Sequence, residues 1–267
     1  MTLNQNQLQT NNLQTTDQSL QQPSDQQKSQ SNPESVFLVS SAIHAKHGVY
    51  DTETRFKQTI ETCKSIRERC DAKIIILDGG YKDLTSEEKA ELVDYIDEFY
   101  TFSEEEIVKQ IQSIPNHDIV KNMIELVMYG SFYDRVAEDG WREKYKRIFK
   151  MSGRYTLNDT FNYQKHMDAK DKIIIRGPFT SQFSPDTTGG VTLQYMSRLW
   201  SFDAFLLPYI RDIYVDMFQH MNDQLAKKGY IDIEHLLFHH LDLSLIENIG
   251  KLGLDGNIAP NGVRISD

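Results

Sequence analysis

YKRIFKMSGRYTLND, Tyr145 to Asp159, is the stretch on which the reading of this chain turns. Apolar Ile148, Phe149 and Met151 interleave with Lys150 and pass directly into the turn Ser152-Gly153-Arg154-Tyr155. A short apolar run that ends in turn residues is the pattern of a strand buried in a core. Here the strand returns to water carrying a lone guanidinium just behind a glycine. What that arginine serves depends on the elements around it.

Outward from this strand the same texture recurs. SVFLVSSAI (Ser35 to Ile43), KIIIL (Lys73 to Leu77, ended by Asp78-Gly79-Gly80), EFYTF (Glu98 to Phe102) and KIII (Lys172 to Ile175, closed by Gly177-Pro178) read as further strands. Between them lie helical patterns. In Thr52 to Arg69, Phe56, Ile60, Cys63 and Ile66 fall at helical spacing; Thr85 or Ser86 caps a second helix with Glu87 and Glu88 in its first turn; Ser103 caps a third; Ile119 to Val136 is amphipathic. Strands alternating with helices predict an α/β fold, a mostly parallel twisted sheet with helices on both faces. After about Thr192, Leu199, Trp200, Phe202, Phe205, Leu206 and Leu207 crowd ahead of Pro208, a helical stretch runs through His220, and YIDIEHLLFHHL reads as another helix. A helical C-terminal part is therefore expected, with the Gly- and Pro-rich close from Gly253 to Asp267 folding back as a strand or lid. There is no internal repeat.

Composition narrows the setting. The first 34 residues are mostly Gln, Asn, Ser and Thr and read as a disordered tail, a solvated leader or a tether. They lack a basic n-region and an apolar h-region, and no later run is long enough to cross a bilayer, so a cytoplasmic location is expected. Of the net charge of −10, Asp17, Asp25 and Glu34 against Lys28 account for −2, leaving −8 on residues 35–267. An acidic body repels polyanions at long range and disfavours a dedicated nucleic-acid binder. Cys63 and Cys70, two turns apart on a helix, are too distant for a disulfide and read as reduced packing residues.

Ligands of mostly parallel sheets sit beyond the carboxyl ends of the strands. That gathers the loops Ser40 to Asp51, Asp78 to Lys82, Ser152 to Asp159 and Gly177 to Asp186, and places Arg154 in a cleft. The competing reading of Arg154 is a structural clamp on a carboxylate such as Asp159.

The order of these elements, with TRFKQTIETCKSIR, ILDGG, KNMIEL, IFKMSGRY and DIEHLL as the segments that carry it, resembles a nucleotide-sugar glycosyltransferase of the GT-A type, in particular small bacterial and phage members. The resemblance spans Ser35 to Asp267 as one domain, with 35–190 as a Rossmann-related nucleotide-sugar-binding part and 191–267 as an acceptor-side part and lid. It implies a hexosyl- or pentosyltransferase whose donor is held by Ser40, Ser41, Arg55, Asp78, Gly79, Lys121, Lys150, Ser152, Gly153 and Arg154. Metal-dependent members carry Asp-x-Asp at the end of a central strand. This chain has Ser152-Gly153-Arg154 there, and a hard cation needs carboxylate oxygens. The expectation is therefore no metal and no further cofactor, with Arg154 meeting the donor phosphate through a bidentate fork and Gly153 letting the ligand approach the backbone.

Inverting members carry a late Asp or Glu that takes the acceptor's proton. Glu234 is the best match, with Asp232 as substitute; the alternative is that Glu234 decorates a helix. His235 and His239 share a helical face, but the metalloprotease order His-Glu-x-x-His is absent and no third ligand is apparent, which disfavours zinc. His44, Lys46 and His47 could touch phosphate or simply solvate a loop. Trp141, Tyr145, Tyr155, Tyr195 and Trp200 read as core before sugar platform. A glycan or lipid-linked glycan is the expected acceptor, with DNA the minority reading. The rival from another class is an inactive nucleotide- or sugar-binding module of the same fold, favoured by the missing Asp-x-Asp.

Overall fold

The computed structural model describes residues 33–258 and 263–267. The tail expected over residues 1–34 falls, but for Pro33 and Glu34, outside them.

Strand β1 (Ser35–Ser41) shows how the sequence builds the layers. Val36, Phe37, Leu38 and Val39 are all fully buried; Val36 and Leu38 enter one core, Phe37 and Val39 the other. A strand covered on both faces needs a continuous apolar run. Strand β2 (Lys73–Asp78) divides the same way, Ile75 and Leu77 to one side, Ile74 and Ile76 to the other. On the first side lie α4 (His117–Val136), α7 (Leu207–Ala226) and α8 (Ile233–His240); on the second lies α1 (Thr52–Arg69). Strand β4 (Arg147–Ser152), the segment read first in the sequence, lies beside β1, and Phe149 stacks on Phe37 with centroids 4.2 Å apart.

The other elements are α2 (Ser86–Leu92), β3 (Glu98–Thr101), α3 (Glu106–Gln112), α5 (Trp141–Lys144), β5 (Tyr155–Leu157), α6 (Tyr163–Asp168), β6 (Ile173–Thr180), β7 (Leu193–Asp203), β8 (Ile246–Asn248), β9 (Leu254–Ile258) and β10 (Val263–Ser266). The main sheet has the order β3-β2-β1-β4-β7-β6-β8. Its strands are parallel except β7, which runs antiparallel to β4 and β6. The result is a mixed, mostly parallel α/β architecture compatible with a Rossmann-like fold.

Two sequence expectations are corrected here. The crowded segment after Thr192 is not helical at its start but forms β7, the longest strand described. Its stretch from Leu199 to Asp203 is buried on both faces, and such a run cannot be told from a buried helix by periodicity alone. Pro208 sits in the first turn of α7, where a missing N–H costs no hydrogen bond. Strand β6 runs on through Gly177-Pro178, and shifts in its register against β7 accommodate the interruption. The close of the chain does fold back: β10 and β9 join β5 in a separate antiparallel sheet. Thus the C-terminal part is mixed rather than helical.

Caps follow the sequence in one helix and depart from it in another. Thr85 caps α2 in a full capping box with Glu88, whereas α3 begins after Glu105 without a side-chain cap, not at Ser103. Thr85→Ala should cost about 1 kcal/mol in urea denaturation, with an unchanged midpoint counting against the cap as a stabilising contact.

Candidate functional site

The carboxyl ends of β1, β2, β4 and β6 point the same way, and the loops that leave β1, β2 and β4 are tied to one another. Asp78, fully buried at the end of β2, is the knot: Oδ2 accepts from Ser41 Oγ at 2.6 Å and from Ile43 N at 3.0 Å, and Oδ1 accepts from Gly80 N at 2.9 Å. Burial raises its pKa, and these hydrogen bonds oppose the rise. Ser41 and Asp78 therefore fix the loops, with their polar atoms turned to each other.

Gly79 and Gly153 each have protein packed where a side chain would begin. A Cβ on Gly79 would collide with Ile124 Cγ2, and one on Gly153 would meet Ser40 O at 3.0 Å and Val39 Cγ1 at 3.3 Å. Gly79 makes room for α4, and Gly153 lets the β4 turn lie against β1, where its N–H donates to Ser40 O at 2.8 Å. This close packing holds the next residue, Arg154, at the rim.

Arg154 is half-buried, and no carboxylate or hydrogen-bond partner for its guanidinium occurs among the described residues. Asp159, the partner that a structural clamp would use, pairs with Arg69 at 2.9 Å. The Arg154 Cζ lies 6.0 Å from the centre of the Tyr155 ring, and Arg198 Cζ, from β7, lies 5.7 Å from the same ring. Arg198 likewise lacks an ionic partner among the described residues. Sequence reasoning missed it; the available signal was an arginine inside an otherwise apolar run. Arg55 completes the cationic rim in a different role. It donates to Tyr50 O, His47 O and Ala42 O, bracing the loop after β1, and burial and then the charge of Arg154 lower its pKa.

Lys150 does not face the rim. It is fully buried, with Nζ 2.5 Å from Glu125 Oε1, donating to Ser197 O at 2.7 Å and to Ser152 Oγ at 3.2 Å. From Ser197 the network continues, since its Oγ donates to Glu234 Oε1 at 2.5 Å. One chain of polar contacts thus joins the Arg154 turn to Glu234 through Lys150. Glu234 is half-buried on the first turn of α8; burial and then neighbouring Asp232 raise its pKa, while Ser197 and the ammonium of exposed Lys121 lower it. Such a carboxylate is more basic than an ordinary glutamate.

Asp232 is the cap of α8, and its Oδ1 lies 2.5 Å from His235 Nδ1. The His235 Nε2 is 2.7 Å from Ser181 Oγ, so the imidazole is clasped from both sides within the core. This occupies His235 and removes it from any site with His239. Trp141, Tyr145, Tyr155, Tyr195 and Trp200 are all buried. Tyr81, after β2, is an exposed aromatic at this edge, with Lys46 Nζ 5.8 Å and Lys82 Nζ 6.0 Å from its centre. His44 is buried against Glu88 at 2.9 Å, and His47 stacks on His117 of α4. A cavity of about 420 Å³ opens between the start of α4 and the turn joining α7 to α8, lined by Asn116, Ile119, Asp186, Thr187 and Tyr230. A second, of about 250 Å³, lies beside Asn158, Arg176 and Asp267. No helix among the described residues is long and apolar enough to cross a membrane. No protein-family model matches the chain, and no curated protein matches it.

Proposed function

We propose that the protein is a glycosyltransferase that moves a sugar from a nucleotide-sugar donor to an acceptor hydroxyl, with arginine rather than a metal ion on the donor phosphates. The observation that carries this reading is the pair of guanidiniums, Arg154 and Arg198, without carboxylate partners among the described residues at the carboxyl edge of the sheet in an acidic protein. Charged groups near a surface are usually paired when an opposite charge is within reach; a fork without a partner suits phosphate oxygens. The Ser152-Gly153-Arg154 turn supplies no carboxylate to hold a divalent ion, which favours the metal-free form of the chemistry.

In this reading the acceptor oxygen attacks the anomeric carbon and its proton passes to Glu234. The bond from that carbon to the phosphate oxygen breaks, and the negative charge left on the nucleoside diphosphate is stabilised by Arg154 and Arg198. Tyr81 offers an aromatic face to the base, and the cavity beside Tyr230 offers room for the acceptor, a glycan or lipid-linked glycan. The acidic remainder of the body makes DNA the minority acceptor.

A second reading, a nucleotide- or sugar-binding module without turnover, is favoured by one contact: Glu234 Oε1 is already engaged by Ser197. Incubation with a panel of nucleotide sugars and glycan acceptors, with and without EDTA, separates the two. Release of free nucleotide unaffected by EDTA is the expected outcome. Binding of a donor without turnover would support the module, and loss of turnover in EDTA would overturn the arginine-only mechanism.

A further inference from the structure

At the far end of α8 from Glu234, three imidazoles converge from two helices. His220 comes from the second half of α7, and His239 and His240 close α8. One ligand atom from each lies within 4.8 Å of the others. His220 Nδ1 and His240 Nε2 are 3.1 Å apart, close to the spacing of about 3.3 Å between two nitrogens bound to one tetrahedral zinc ion. Ring centres are 4.7, 5.3 and 4.9 Å apart, and the planes cross at 67° to 75°, so the rings fan around a common point rather than stack.

We infer that His220, His239 and His240 form a three-imidazole site for a borderline divalent transition ion, zinc by donor set and geometry, which fastens the end of α8 to α7. Three neutral nitrogens with a fourth position open to water match the ligand count of zinc centres, and they exclude magnesium and calcium, which require oxygen. His239 is exposed and the other two are half-buried, so the site is open to an entering ion. His220 also faces Asp223 and Lys227, and His240 faces Asp216. The present contact between His220 and His240 requires one ring to donate a proton to the other. Binding an ion requires both to present lone pairs, so one ring changes tautomer without a net change in charge. The pairing weighed in the sequence, His235 with His239, is replaced by this one, because His235 is turned to Asp232 and Ser181.

The experiment uses untagged full-length protein, freed of metal with EDTA and then dialysed. Titration with zinc chloride by calorimetry should show saturable binding of about one equivalent, and cobalt chloride should give the visible absorption of a tetrahedral ion. The thermal midpoint should climb with free zinc once its concentration exceeds the dissociation constant. His239→Ala, at an exposed position that leaves the core untouched, should weaken zinc binding by roughly tenfold or more and abolish the cobalt spectrum. Absence of saturable zinc binding overturns the inference. So does binding that survives unchanged in His239→Ala and in His220→Ala/His240→Ala, which would place the ion elsewhere, at His47 and His117 for example.

Discussion

Lys150→Met is expected to destabilise the protein by about 3–5 kcal/mol in urea denaturation, the range for removing one partner of a buried ion pair. The lysine side chain is 1% exposed and that of Glu125 18%, so the substitution leaves a carboxylate in a low-dielectric setting without a cation. The surroundings offer it little else. The hydroxyl of Tyr129, in the same core, donates to Leu38 O, and burial and the charge of Glu125 hold the phenols of Tyr129 and Tyr133 well above their ordinary pKa. Changing both partners together, Lys150→Met with Glu125→Leu, should recover most of the loss, because an apolar pair of similar volume needs no desolvation of charge. A single variant that costs under about 1 kcal/mol would show that the pair carries no structural role, in the range of surface ion pairs. The same substitution cuts the polar chain between Ser152 and Ser197, so any activity should fall further than stability alone explains.

Glu234→Gln should lower the rate of sugar transfer by about 10²–10⁴-fold while leaving donor affinity unchanged, the signature of a lost general base. Glutamine keeps the volume and still accepts from Ser197, so the fold is preserved. The pH dependence has a definite sign. The carboxylate must be ionised to take a proton, and burial with Asp232 lifts its pKa above the ordinary 4.5. On the proposed function, transfer by the unmodified protein should therefore decline on the acid side at a higher pH than an ordinary glutamate would give. Stability follows the same group. Between 4.5 and the raised value the folded state holds more protons than the unfolded one, so this site's contribution to stability falls as pH rises through that window and stays low above it. Glu234→Gln should remove that slope. A variant with full activity would return Glu234 to a merely structural role.

The layers were legible in the sequence because strands buried on both faces demand unbroken apolar runs, as in Val36–Val39 and Ile74–Leu77, and because turn residues fall at their carboxyl ends. Strand β7 was not legible, since a fully buried run preceding a proline reads as well for a helix. The candidate site residues divide along another line. Arg154 was visible because a charge behind a strand is anomalous. The inward roles of Ser41, Asp78, Gly79, Gly153 and Lys150 were not, because a residue type does not tell whether its partner is a ligand or the neighbouring loop. Arg198 and the convergence of His220 with His239 and His240 depend on contacts across 43 residues for Arg198 with Tyr155 and across 20 for His220 with His240, which periodicity within one element cannot report.

Calorimetric titration with a panel of nucleoside diphosphates at two salt concentrations bears most directly on the phosphate role of the arginine rim. The unmodified protein should bind at least one of them, more weakly at the higher salt. Arg154→Ala should lose about 10–150-fold in affinity, the worth of a charge-assisted hydrogen bond of about 1.5–3 kcal/mol, and Arg198→Ala a comparable amount, with unchanged thermal midpoints because neither guanidinium has an ionic partner to leave behind among the described residues. Equal affinity in Arg154→Ala/Arg198→Ala and in the unmodified protein would contradict the assignment of phosphate binding to this edge of the sheet.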